Sequence, residues 1–385
     1  MREIDAIIES YERTTAQGIE SVLATVVHVE GSSYRRPSAR MLVDEHGMVT
    51  GAISGGCLEG DALRKALYAF VQKKNTLVTY DTSDEDDAIV GAQLGCNGVI
   101  QVLFEPIDSQ DPQNPIQLIK RAIASKKPCV LVTLFNLAQK NGLQPGTSLL
   151  VEEGQQLNGT LNDPSLTKSI QKDAQEVINR KSSLFREYIQ GEEHTNVFIE
   201  YFAPPVSLVI IGAGNDTQVL AKMAELLGWI IYVVDGRQEL ATTDRFASSC
   251  QVIVSKPEDA LENISIDERT VFVLMTHNYN YDLGVLRTLI PMTQIPYIGI
   301  LGPKKKFNRM LDDLKKEQVE IINARLKDIY APIGLEIGAE TPEEIALSVL
   351  AEIKAVLEGT QGGLLRDKEG PIHSKDNTQF DSVKI

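Results

Sequence analysis

The chain has 385 residues, 43% of them hydrophobic and 6% aromatic, with a formal net charge of −15 at pH 7. That length predicts two or three domains with sizeable cores, and the acidic balance excludes a general nucleic-acid binder, whose affinity rests on Lys and Arg at phosphates. The cysteines Cys57, Cys96, Cys129 and Cys250 form no CxxC and sit at no tight Cys/His spacing, which excludes a structural zinc site and a disulfide framework and fits the reduced thiols of a cytoplasmic protein.

The first residues, MREIDAIIESYERT, read as an acidic amphipathic helix rather than a signal peptide. No apolar run approaches the ~18 residues of a membrane span, so no membrane association is expected. An internal repeat follows. Ser21–Gly56 (SVLATVVHVEGSSYRRPSARMLVDEHGMVTGAISGG) resembles Pro128–Pro164 (PCVLVTLFNLAQKNGLQPGTSLLVEEGQQLNGTLNDP). Each copy runs from an apolar β-rich stretch through a polar loop to a short strand, a Gly turn and a helical stretch. Each closes on a similar strand, VIQVLFEPI at Val99–Ile107 and NVFIEYFAPP at Asn196–Pro205. The units span about residues 21–107 and 128–205 of an N-terminal mixed α/β domain, residues 1–203.

Packing needs shared by both copies should show in both, so features of one copy alone point to chemistry. The first copy has Ser54-Gly55-Gly56-Cys57-Leu58-Glu59 where the second has Asn162-Asp163-Pro164-Ser165-Leu166-Thr167. Leu58, Ala62, Leu63, Ala66, Leu67 and Phe70 recur at helical spacing, which starts a helix near Cys57. A helix N-terminus stabilises a thiolate, the reactive and metal-binding form. Gly55 and Gly56 would let a ligand approach the backbone. Glu59 and Asp61 suit the dipole but oppose a thiolate. The loop Gly31–Arg40 carries Arg35, Arg36 and Arg40, none matched in the second copy. Arginine forks suit phosphate. Leu94-Gly95-Cys96-Asn97-Gly98 offers a second Gly-flanked thiol.

From Pro204 the pattern alternates strands with helices, which predicts a doubly wound parallel sheet over residues 204–359. Gly212-Ala213-Gly214 follows a strand and opens a helix, and Asp235 ends the next strand. That is most of a dinucleotide fingerprint, with Thr217 in place of its third glycine. Two further loops lie at strand ends, Thr276-His277-Asn278 and Gly302-Pro303-Lys304-Lys305-Lys306. The histidine could act as an acid, a base or a ligand, and the lysines beside free N–H groups favour an anion. Thr341-Pro342-Glu343-Glu344 is a capping box for a last helix. Residues 360–385 read as a flexible tail.

Taken in order, GSSYRRPSARM, GAISGGCLEGD, LGCNG, VIIGAGN, MTHNYNYD, YIGILGPKKK and APIGLEIGAETPEEIALSVLAEI resemble the XdhC/CoxI family of xanthine dehydrogenase accessory proteins, over most of the chain up to about Gly359. The resemblance implies a cytoplasmic homodimer that binds the molybdenum cofactor, a molybdopterin, and passes it to an apo molybdenum hydroxylase such as xanthine dehydrogenase. A cysteine desulfurase is a further partner to be considered. It places Cys57 and Cys96 in the family's two cysteine motifs, with Cys57 a contact to molybdenum. Arg40 falls in its GSS…R loop and His277 in its Thr-His-Asn/Asp motif. The family often has His where this chain has Asn215, and Gly where it has Asn97 and Thr217. The cofactor is expected between the two domains, held by Arg40, Gly55, Gly56, Cys57, Glu59 and Cys96 and by Gly212, Gly214, Asp235, His277, Asn278, Gly302 and Lys304. The rivals are an NAD(P)-dependent oxidoreductase working from the Gly212 loop and a plain interaction scaffold. A carrier needs no catalytic turnover.

Overall fold

The run SVLATVVHVEG is rich in β-branched residues and carries no helical stripe, and in the computed structural model it is the central strand of a five-stranded sheet. The structure describes residues 2–31, 33–81, 98–154, 157–323, 325–369 and 379–385. They divide into two compact units, 1–204 with 371–385, and 205–370.

The first unit contains the same series of elements twice. One copy is α1 (Arg2–Ala16), β1 (Ser21–Gly31), β2 (Arg40–Asp44), β3 (Val49–Gly51), α2 (Glu59–Gln72), β4 (Thr76–Asp81) and β5 (Gly98–Pro106). The other is α3 (Pro115–Ala124), β6 (Cys129–Phe135), β7 (Gly146–Glu152), β8 (Leu157–Gly159), α4 (Pro164–Arg180), β9 (Leu184–Gln190) and β10 (Glu193–Phe202). The strand orders correspond, β3-β2-β1-β5-β4 and β8-β7-β6-β10-β9. The register corresponds too: Leu23 faces Glu105 across β1 and β5, as Leu131 faces Glu200 across β6 and β10.

Each sheet hides one face under its own helix. Leu58, Ala62, Ala66 and Ala69 bring α2 onto Val26, Val102 and Phe104, and Leu166, Ile170, Ala174 and Val177 bring α4 onto Val132, Val151 and Ile199. The other faces meet. Val27, Leu77 and Leu103 pack on Phe135, Phe185 and Phe198. Leu23, Leu42, Leu131 and Leu150 form a further cluster with α1 and α3. Each such side chain, moved from water to the interior, contributes about 1.5–3 kcal/mol. The result is an α/β/β/α stack in which the two sheets share one interior.

The second unit is built on near-continuous apolar strands, as a sheet covered on both faces requires. Its elements are β11 (Ser207–Ile211), α5 (Asn215–Leu226), β12 (Ile230–Asp235), β13 (Cys250–Val254), β14 (Thr270–Leu274), α6 (Tyr279–Leu289), β15 (Tyr297–Ile300), α7 (Lys304–Lys316), β16 (Ile329–Tyr330) and α8 (Pro342–Leu357). The sheet is parallel throughout, in the order β13-β12-β11-β14-β15-β16. α5 and α8 cover one face, and α6 and α7 the other. This is a Rossmann-like doubly wound fold whose order reverses between β11 and β14. The capping box at α8 forms as expected: Glu344 N–H donates to Thr341 Oγ1 (3.3 Å), and Thr341 N–H donates to Glu344 Oε2 (2.9 Å).

The chain end departs from the reading of residues 360–385 as a flexible tail. Asp381–Lys384 forms β17, which pairs in parallel with β9 and widens the second sheet of the first unit to six strands. A composition rule misses this because short polar segments gain order from a neighbouring edge, not from their own pattern. Among the described residues, no helix is long and apolar enough to cross a membrane.

Candidate functional site

The Gly-Gly-Cys turn closes around Ser54. The Ser54 hydroxyl is buried; it donates to Glu59 Oε2 (2.5 Å) and accepts from Gly56 N–H (3.2 Å) and Leu58 N–H (3.1 Å). Ser54 N–H also donates to Glu59 Oε1 (2.8 Å). Ser54 thus ties down the turn ahead of α2, whose cap residue, Leu58, makes no side-chain cap hydrogen bond. Burial alone would push the Glu59 carboxyl up, but the hydrogen bonds from Ser54 outweigh it and hold its pKa below the ordinary value. Cys57 Sγ donates to Ser54 Oγ (3.5 Å). Its thiol is half-buried, whereas Cys129 and Cys250 are buried, and burial pushes the Cys129 thiol up to about 12. Cys96 lies outside the described residues.

The two glycines differ. Gly56 has φ +109°, and a Cβ there would meet nothing within 4 Å, so the backbone beside Cys57 opens outward. Gly55 lies under the Tyr34 ring, where a Cβ would come within 3.1 Å. The arginine loop thus reaches the turn through Tyr34 and through a residue that sequence reading missed, Glu3 of α1. Glu3 accepts from Arg35 Nη1 (2.7 Å) and from Ala52 N–H (3.1 Å). Nothing in a helical stripe marks Glu3 for that role.

Arg40, expected to hold the cofactor, is taken up in a buried ion pair. It is 2% exposed, and both guanidinium ends engage Glu200 of β10, Nη1 at 3.0 Å from Oε1 and Nη2 on Oε2. The equivalent position in the other copy is occupied by Thr147. Its N–H and hydroxyl donate to Glu105 (2.6 and 2.9 Å). Arg40 is therefore a fastener between the two sheets, one of a pair of pseudo-symmetric contacts.

In the second unit the Gly212 loop is consumed internally. Ala213 N–H donates to Asp235 Oδ2 (2.7 Å), and Arg237 adds its N–H and Nε on Oδ1 and Nη2 on Oδ2. Burial would raise the Asp235 pKa, yet these bonds hold it low. A carboxylate with four donors and 2% exposure leaves little for a ribose. Gly212 has φ +128°, and a Cβ there would collide with Met275 O at 2.7 Å and Thr276 N at 2.9 Å, so its glycine serves strand packing. Thr217 is fully buried, with its hydroxyl on Gly212 O (2.9 Å), and fills the space a third glycine would leave.

The other expected residues divide likewise. Asn278 is the cap of α6, accepting from Asn280 and Tyr281 N–H. His277 stands exposed at φ +59°, with Nε2 3.7 Å from Asp216 in the first turn of α5. Gly214 caps α5 with open space beside it. Lys304 is exposed. It is Lys306 that turns inward, to Asp282 Oδ2 (2.7 Å) and Leu301 O (3.0 Å), beneath Gly302. Three adjacent lysines look alike in sequence; only the register of α7 selects one. Among the described residues, no group of three or more His, Cys, Asp or Glu could hold a metal ion.

Comparison with known proteins agrees with this division. Residues 14–81 match the XdhC and CoxI family, and residues 208–353 match the XdhC Rossmann domain. A Bacillus subtilis (strain 168) protein named as a probable subunit of xanthine dehydrogenase is 32% identical over 350 residues, covering 91% of this chain and 95% of its own. The chain belongs to the XdhC/CoxI family.

A second relative of this XdhC/CoxI protein is the molybdenum cofactor insertion chaperone PaoD of Escherichia coli (strain K12). It is 24% identical and covers 88% of this chain and 84% of its own. A crystal structure described as a xanthine dehydrogenase from Bacillus halodurans superposes with a TM-score of 0.71 at 29% identity, covering 93% of this chain and 97% of that one. The family match covers the segment bearing Cys57, in the first copy of the duplication, and the Rossmann-like unit.

Proposed function

We propose that this protein binds the molybdenum cofactor as cargo and delivers it to a molybdenum hydroxylase of the xanthine dehydrogenase type, with Cys57 contacting the metal. The observation that carries the reading is the placement of Cys57. It is the half-exposed thiol among the described cysteines, it stands beside the open backbone of Gly56, and its turn belongs to one copy of the duplication only. A soft thiolate suits a molybdenum centre. The names of the two relatives, one a probable subunit of xanthine dehydrogenase and the other a molybdenum cofactor insertion chaperone, support the same role. The use of Asp235 and Ala213 N–H inside the Rossmann loop argues against the oxidoreductase rival.

The test is metal and pterin content of protein purified from cells making the cofactor, followed by mixing with apo-hydroxylase. Wild type is expected to carry molybdenum and restore hydroxylase activity. Cys57→Ala, with unchanged circular dichroism, is expected to lose at least about tenfold in bound molybdenum, as removal of a main ligand implies. A Cys57→Ala protein as fully loaded as wild type removes the thiol from the site. A wild type that never holds molybdenum, or that binds NADH tightly and saturably, overturns the whole reading.

A further inference from the structure

The chain end supplies a feature that the cofactor role does not use. The edge of β9 is covered by residues 379–385, and the covering segment is anchored at three kinds of contact. Phe380 enters an aromatic pocket, with its ring centroid 4.6 Å from His28, 5.7 Å from Phe185 and 6.1 Å from Phe135. Asp381 pairs with Arg186 (2.5 Å), and Ser382 Oγ donates to Glu187 Oε2 (2.7 Å). Val383 and Ile385 pack on the α4 side of the sheet, and Ile385 N–H donates to Ile189 O (3.1 Å). Backbone ladder, side-chain pocket and ion pair together are how a sheet edge recognises an extended peptide.

The duplication provides the control. β4 is the counterpart of β9, and Val78 pairs with Val102 as Arg186 pairs with Val197. The first copy therefore has valine where the second has the arginine anchor, and leucine (Leu77) at the place of Phe185. Among the described residues no strand is added to the outer edge of β4. Among the described residues, one copy alone carries the added strand. Arg186 is held ready by Asp173 (3.0 Å) and Glu176 (3.2 Å) from α4.

We propose that the β9 edge, with the His28–Phe135–Phe185 pocket and Arg186, is a peptide-docking groove, and that segment 379–385 exchanges in and out of it, so that a second copy of this chain can dock the same segment there. A hydrogen-bonding edge left bare invites such pairing, and exchange of an identical element is a low-cost route to a dimer. A segment tethered in cis competes at an effective concentration of about millimolar, so the groove is closed to outside peptide until its own segment is weakened.

The experiment uses the full chain with Phe380→Ala and Asp381→Ala in its own segment, and a fluorescein-labelled peptide of residues 379–385 read by anisotropy. The peptide is expected to bind the double variant at least tenfold more tightly than wild type. A peptide carrying the same two alanines is expected to lose that binding. Because the second control alters the peptide, a failure to fold cannot mimic it. A double variant that keeps its circular dichroism but binds no peptide overturns the proposal. Equal binding to wild type and variant, or binding indifferent to the peptide's phenylalanine and aspartate, overturns it as well.

Discussion

At Glu105 a buried carboxyl group has Thr147 as its hydrogen-bond donor where Glu200, its counterpart, has an arginine. Burial pushes the Glu105 pKa up to about 6 from an ordinary 4.5, against the opposing effects of Thr147 and Arg40. The folded state therefore holds the proton more tightly than the unfolded chain. The stabilisation is fully present below about pH 4.5 and is lost as pH rises through 6, a change on the order of 2 kcal/mol. Glu105→Gln keeps an acceptor for Thr147 N–H and carries no charge. Urea unfolding is expected to show it more stable than wild type at pH 7.5, with no decline between those pH values. Parallel curves for the two proteins would refute this. The same scale accounts for the surroundings of Asp235. A carboxylate at a strand end reads as a ribose acceptor, but a turn of two residues brings Arg237 back onto it. Which donor reaches a carboxylate is a matter of local geometry that residue type does not carry.

Among the elements, those with a strong period or a capping box were legible, and the entry to α2 was not. The α2 stripe, the β-rich runs and the Thr341 capping box all form where their patterns place them. The turn ahead of α2 is ordered by Ser54, which takes the N–H groups of Gly56 and Leu58. In the second copy Asp163 caps α4 directly, accepting from Ser165 and Leu166 N–H. The two copies thus enter their helices differently, α4 with a side-chain cap and α2 without one. Ser54→Ala removes the acceptor of the Gly56 and Leu58 N–H groups and is expected to cost about 1 kcal/mol, seen as a lower urea midpoint. It should also change the alkylation rate of Cys57, whose thiol loses its acceptor. A midpoint and a rate both equal to wild type would show that Ser54 does not hold the turn. Asn278 and Thr217 belong to the same class. Each falls in a motif that suggests a ligand, and each is spent locally, Asn278 on the start of α6 and Thr217 on the Gly212 carbonyl.

For the molecule as a whole, the duplicated unit is held by contacts that cross from copy to copy. Arg40 and Glu200 lie 160 residues apart in the chain and meet in the shared interior of the two sheets. Arg40→Met would leave Glu200 buried and unpaired, with an expected loss of about 3–5 kcal/mol, whereas Arg40→Met with Glu200→Met should recover most of it. Chemical denaturation of the single and double variants checks this; equal losses would mean the pair is not a unit. The sequence by itself determined the repeat, the two fold types and the singular Cys57 turn, because hydrophobic period and Gly placement are local and repeat along the chain. Only the tertiary structure decided that Arg40 fastens sheets, that Ala213 N–H reaches Asp235 and that residues 381–384 return to β9. Those outcomes depend on which charge or edge a distant residue meets once the chain is packed, and that choice is made by long-range contacts that no local pattern encodes.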